Sequence, residues 1–247
     1  MMRETRTIMG MAVTIAIPGA LANRQDIETV FDQFAAVDNR FSPYKSESEL
    51  SRFNRGEIEE PSVQMREIFA LAEKAKSDTF GYFDIVRPDH VLDPCGIVKG
   101  WAIRNAAESL AQIGYEDFFV EAGGDIQTSG QNEEGKEWRI GIRNPFQADE
   151  IVKVVYAEET GVATSGTYFQ GSHIYNPHAP DQAPKEIVSL TVIGPDILQA
   201  DCYATAAFAM GRNGIFFIER LPGFEAYEID VRGIARMTTG LGRYLTC

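Results

Sequence analysis

The sequence predicts an α+β fold, a single compact unit of mixed sheets and helices over residues 1–247, in one lobe or two. Some stretches carry apolar residues at helical spacing and others alternate with strand spacing. The two kinds follow one another without strict β-α-β order. No repeat, low-complexity tract or linker divides the 247 residues, a length that suits one large domain.

Met11 to Ile17 is β-compatible and makes a first strand. Arg3 and Arg6 before the mildly apolar stretch Ile8–Ala22, with Ala20-Leu21-Ala22, also suit a secretory signal. Glu4 in the would-be positive region and the Pro18-Gly19 turn favour the strand. No cysteine follows to carry a lipid. Asn23 or Asp26 can cap a helix whose Ile27, Val30, Phe31, Phe34, Val37 and Phe41 share a face. Phe41 to Asn54 is polar and reads as a loop entering a short helix. Ser62 caps the next helix, with Met65, Ile68, Phe69 and Ala72 together. Residues 81–96 read as loop and short strand between turn signals. A helix runs from about Lys99 to Ile113 and closes at Gly114.

Phe118 to Glu121 is a short strand ending in Ala122-Gly123-Gly124-Asp125. Trp138–Arg143, Val152–Glu158 and Ile187–Ile193 are strands, and Gly161–Tyr168 is strand then loop. Gln199–Met210 is an alanine-rich helix that stops at Gly211. A helix over Asn213–Arg220 and a β-ribbon near Tyr227 and Met237 complete the chain.

The chain has 23 Lys and Arg against 36 Asp and Glu, a net charge of −13. That disfavours nucleic acid, whose binding needs cations to displace counterions, and an anionic membrane surface. The three cysteines, Cys95, Cys202 and Cys247, are widely separated and form no disulfide framework, which suits the reducing cytoplasm. No apolar run is long enough to span a bilayer.

Several residue groups can carry chemistry, and each has a plainer reading. Asp201 and Thr205 lie one helical turn apart and offer hard oxygen donors of the kind Mg²⁺ or Ca²⁺ takes. Equally, Asp201 can complement a helix dipole and Thr205 can be core. The segment Gly96-Ile97-Val98-Lys99-Gly100 offers free N–H groups and a cation to a phosphate, or simply a turn before a helix. Asp125 after two glycines can accept from a ribose or purine, or close a tight turn. His173 can act as a general base or sit satisfied in a loop; for His90 and His178 nothing lifts the plainer loop reading. No zinc spacing, C-x-x-C or G-x-S-x-G motif is present.

Taken in order, eight segments resemble the ApbE family, the FAD:protein FMN transferases. They are Thr7-Ile8-Met9-Gly10, Ser48 to Asn54 (S-E-L-S-R-F-N), Gly81 to Asp84 (G-Y-F-D), Asp93 to Gly100 (D-P-C-G-I-V-K-G), Ala122 to Ile126 (A-G-G-D-I), Ala163 to Tyr168 (A-T-S-G-T-Y), His173 to Pro177 (H-I-Y-N-P) and Ala200 to Thr205 (A-D-C-Y-A-T). The resemblance implies a T-fold-like unit and Mg²⁺-dependent cleavage of FAD. FMN then joins through its phosphate to a Thr or Ser of a target flavoprotein, with release of AMP. An FAD pyrophosphatase or a non-enzymatic FAD-binding protein are the alternatives. Carried over by position, Mg²⁺ would be held by Asp201, Thr205 and the Gly96 carbonyl. FAD would touch Met9, Tyr44, Tyr82, Phe83, Asp84, Asp93, Lys99 and Ile174. His173 and Asp201 would be catalytic. The chain departs from typical members in its short span between Asp84 and Asp93, in Cys95 and in Val98.

Overall fold

In the computed structural model, residues 1–19, 22–166, 174–180 and 186–245 are described, apart from the Ala148 side chain. Ten strands are described: β1 (Met2–Ile8), β2 (Met11–Ile17), β3 (Phe118–Ala122), β4 (Asp125–Ser129), β5 (Trp138–Asn144), β6 (Gln147–Ala157), β7 (Gly161–Gly166), β8 (Ile187–Gly194), β9 (Glu225–Asp230) and β10 (Ala235–Met237). The helices are α1 (Arg24–Phe41), α2 (Glu49–Asn54), α3 (Val63–Asp78), α4 (Cys95–Ile113), α5 (Ile197–Ala209) and α6 (Gly214–Ile218). Short 3₁₀ turns cover Gly211–Asn213 and Thr239–Tyr244.

Eight strands form one antiparallel sheet in the order β1-β2-β3-β4-β7-β8-β9-β10, and β5 and β6 pair separately. The mixture of an antiparallel sheet with segregated helices is the expected α+β class. The helices cover one face, where β2, β3, β7, β8, α1, α4 and α5 supply the larger core. On the other face Ile140, Ile142, Val155 and Ala157 of the β5–β6 hairpin pack on Ile126, Val162, Ile193, Tyr227 and Ile229. One sheet therefore serves two cores.

The helices form where periodicity places them. All six residues read onto the inner face of α1 are buried, and the Asn23 side chain accepts from the Gln25 N–H at 3.0 Å. Ser62 caps α3 through the Met65 N–H at 3.2 Å. Gly114 closes α4 in the left-handed conformation, φ 108°. Tyr227 and Met237 face each other across the terminal ribbon.

Four boundaries differ from the sequence reading. α4 starts at Cys95, not Lys99, because Asp93 Oδ1 accepts from the Cys95 N–H at 3.2 Å and caps the first turn. Gly96 and Gly100 thus lie inside the helix rather than in a turn before it. α5 starts at Ile197, where Asp196 accepts from the Gln199 N–H at 3.2 Å. α6 is shorter than expected because a 3₁₀ turn precedes it. β6 begins at Gln147, five residues early.

Two strands had no expectation. β1 pairs along its full length with β2 but carries Arg3, Glu4 and Arg6, which is how free edges are protected from further pairing. β4 is short and polar and folds back on β3 through Gly123 and Gly124, φ 60° and 95°. The same tight geometry joins β1 to β2 through Met9 and Gly10, φ 57° and 73°. Both match the two-residue turn that needs positive φ at its two central positions. Met9 is not a glycine, so it stores roughly 1–3 kcal/mol of strain.

Candidate active site where α4 crosses α5

The two helices meet closely because Gly100 has no side chain. A Cβ there would lie 3.0 Å from Leu198 Cα and 3.1 Å from Asp201 Cβ. The approach lets the Gly100 N–H donate to Asp201 Oδ2 at 3.0 Å. Asp201 is 3% exposed and Asp125 1%. Lys99 stands between them, its Nζ 2.7 Å from Asp125 Oδ2 and 3.5 Å from Asp201 Oδ1. Asp125 Oδ2 is held by this ion pair. Asp125 Oδ1 accepts from the Thr164 N–H at 3.0 Å.

Two buried carboxylates face one ammonium. Burial pushes the Asp201 carboxyl up; Lys99 pulls it back, and Asp125 raises it again. Burial works against the Lys99 charge too, but Asp125 and Asp201 outweigh it and hold the ammonium protonated. With its carboxylates ionised the cluster carries one negative charge more than it neutralises, in surroundings where an unmatched charge is costly. A cation or a proton must supply the difference.

Thr205 sits one turn along α5 and is only partly buried. Across from it, a methyl at Gly96 would lie 3.8 Å from Thr205 Cγ2 and 3.2 Å from the Phe83 ring. Asp201, Thr205 and Gly96 therefore lie along the same crossing. Lys99, expected to face FAD, has its ammonium between two carboxylates. Asp125, weighed for a ribose or purine, has both oxygens turned inward.

The remaining expected residues are spread around this crossing. Phe83 is buried against Gly96, and the Phe83 N–H donates to Thr79 Oγ1 at 3.0 Å. Asp84 Oδ2 pairs with Lys76 at 2.7 Å. Met9, Tyr82 and Ile174 pack partly buried on the helix-side core. Asp93 caps α4. Tyr44 stands apart, 94% exposed on the loop after α1. His173 lies outside the described residues. His178 is satisfied as its plainer reading foresaw, with Nε2 2.9 Å from the Phe80 carbonyl and the ring edge-on to Tyr82. Among the described residues no three His, Cys, Asp or Glu side chains gather into a metal cluster. None of the described helices is long and apolar enough to cross a membrane.

The Asp125–Lys99 pair and the Thr164 N–H that fixes it escaped the sequence reading. The available signal was Asp125 directly after the paired glycines Gly123 and Gly124.

The antiparallel sheet with helices on one face is a fold that this chain shares with solved flavin transferases. The flavin transferase ApbE from Vibrio cholerae superposes with a TM-score of 0.86 at 23% identity, over 99% of both chains. The ApbE protein from Thermotoga maritima superposes at 0.87 and 20% identity, over 100% of this chain and 99% of that one. The model of the ApbE family matches residues 9–87 and 86–227. The chain belongs to the ApbE family. A curated relative from Vibrio cholerae, named FAD:protein FMN transferase, is 26% identical over 287 residues, covering 92% of this chain and 84% of its own. One of the same name from Escherichia coli K12 is 26% identical over 290 residues, covering 91% and 83%.

Proposed function

We propose that this chain is an Mg²⁺-dependent FAD:protein FMN transferase acting on a Thr or Ser of a target flavoprotein. The observation that carries the reading is the α4–α5 crossing: Asp201, Thr205 and Gly96 meet there within a fold whose named relatives transfer FMN.

The donors suit a hard cation. One carboxylate, one hydroxyl and one main-chain carbonyl leave several positions for phosphate oxygens and water, as Mg²⁺ prefers. The excess negative charge of the cluster supplies the attraction. When bound, Mg²⁺ would act as Lewis acid on the pyrophosphate and offset its charge.

Phosphoryl transfer needs positioning and charge stabilisation more than covalent work by the protein. The acceptor hydroxyl oxygen forms a bond to the phosphorus of the FMN half. The bond from that phosphorus to the bridging oxygen breaks, and AMP leaves with the electron pair. His173, matched by sequence to the family histidine, takes the hydroxyl proton. Lys99 keeps Asp125 and Asp201 in register. Met9, Tyr82, Phe83, Asp84, Asp93, Ile174 and the exposed Tyr44 form the surroundings for FAD. The free thiols, exposed at Cys95 and buried at Cys202, fit a cytoplasmic setting.

The test is incubation with FAD, Mg²⁺ and a co-expressed flavoprotein acceptor, followed by in-gel flavin fluorescence and mass spectrometry. A covalent FMN adduct with release of AMP is expected. An unlabelled acceptor with intact FAD would defeat the reading, and AMP and FMN released at a rate indifferent to acceptor would make the chain a pyrophosphatase.

A further inference from the structure

Residues 84–93 form a small hairpin. The Asp93 N–H donates to the Ile85 carbonyl at 2.8 Å and the Arg87 N–H to the Val91 carbonyl at 3.0 Å, which flank the Val86–Leu92 bridge. In such a ladder the central pair turns its own N–H and C=O groups outward. Leu92 should therefore present two unpaired backbone groups on its free side. Asn54, the last residue of α2, takes both. Its Nδ2 donates to the Leu92 carbonyl at 2.9 Å, and its Oδ1 accepts from the Leu92 N–H at 3.1 Å. A side-chain amide carries the donor and acceptor of a peptide group, so Asn54 stands in for a third strand.

The hairpin leads directly to the candidate site. Asp93 follows Leu92, and its carboxylate caps α4 at Cys95. Pro94, the residue at the cap position, has no side-chain bond of its own to give. Gly96 and Lys99 lie in the first turns of that helix. The alignment to the Vibrio cholerae relative runs over 287 positions but spans 92% of 247 residues, about 227, so about 60 positions have no counterpart here. The family match also breaks at residues 86–87, inside the hairpin.

We propose that Asn54 is a positioning residue for this site. Its clamp on Leu92 sets the hairpin, the hairpin sets Asp93, and Asp93 sets the first turn of α4. Asn54 itself touches neither FAD nor metal. The proposal rests on the FMN-transferase reading above.

Asn54→Ala in the full chain tests it. The KM for FAD should rise about tenfold, the size expected for losing two neutral hydrogen bonds, while kcat at saturating FAD and Mg²⁺ changes less than about threefold. The melting temperature should stay within about 3 °C, as for a surface substitution. Hydrogen exchange should quicken at Leu92, Asp93 and Cys95. Asn132→Ala removes a similar loop bond, to the Glu137 carbonyl at 2.9 Å, and should leave KM unchanged. Unchanged KM despite faster exchange in the hairpin would overturn the proposal. So would a parallel fall in kcat and melting temperature, or an equal KM rise in Asn132→Ala. If the wild type binds FAD but transfers nothing, the functional reading fails, and the FAD dissociation constant replaces KM in the same comparison. A wild type that binds no FAD overturns both.

Discussion

The crossing of α4 and α5 and the 84–93 hairpin border the same site, yet they are held by opposite means. At the crossing, the Lys99 ammonium of α4 and the Asp201 carboxylate of α5 meet the Asp125 carboxylate of β4, with Gly100 bringing the helix backbones together. At the hairpin, an exposed asparagine, an ion pair from the half-exposed Lys76 and a few main-chain bonds do the holding. Charges at the crossing cannot lose a partner cheaply, because water does not replace it. Bonds at the hairpin exchange with water and contribute little to global stability. Stability and positioning therefore separate in space, and mutations should separate them too.

The largest effect should come from Asp201→Ala, which removes the only carboxylate proposed to touch Mg²⁺. Altering even a group behind a metal ligand costs about 10–100-fold, so loss of a ligand should lower Mg²⁺-dependent AMP release by more than about 100-fold. Full turnover in this variant would break the metal assignment. Lys99→Met comes next, because it leaves Asp125 and Asp201 facing each other in the interior. Breaking a buried pair in this way costs about 3–5 kcal/mol, read from the urea midpoint of the metal-free protein. A loss below about 1 kcal/mol would mean that the crossing is as wet as the hairpin.

Gly100→Ala should cost about 1–3 kcal/mol, the range for overpacking, since its methyl meets the Leu198 backbone at 3.0 Å. An unchanged melting curve would show that the helices part easily. Lys76→Ala, on the hairpin side, should shift stability by no more than about 1 kcal/mol, because the Lys76 end of its pair with Asp84 is half-exposed. A larger loss would erase the distinction between the two regions.

The sequence announces these regions unequally. The inner face of α1 was legible because Ile27 to Phe41 repeat every three to four positions and nothing else competes for them. Asp201 and Thr205 were legible as a pair because one helix carries both. The partners of Asp201 were not, since Lys99 and Asp125 reach it only after the sheet and two helices have assembled. Gly96 and Gly100 were read for flexibility, whereas the fold uses their small size, and only the facing helix reveals that need. β1 was hidden by its charges, and β4 by its length. The hairpin's dependence on Asn54 was equally invisible: the motif around Asn54 stood out, but its partner is a backbone, which leaves no trace in residue type.

Gly100 and Asp201 are separated by 101 positions. A growing chain therefore displays Lys99 and Asp125 well before the residue that completes the cluster leaves the ribosome. Until then no crossing exists, and a product cut short before α5 lacks the carboxylate proposed to hold Mg²⁺. Chains that end before α5 should thus show no Mg²⁺-dependent turnover of FAD.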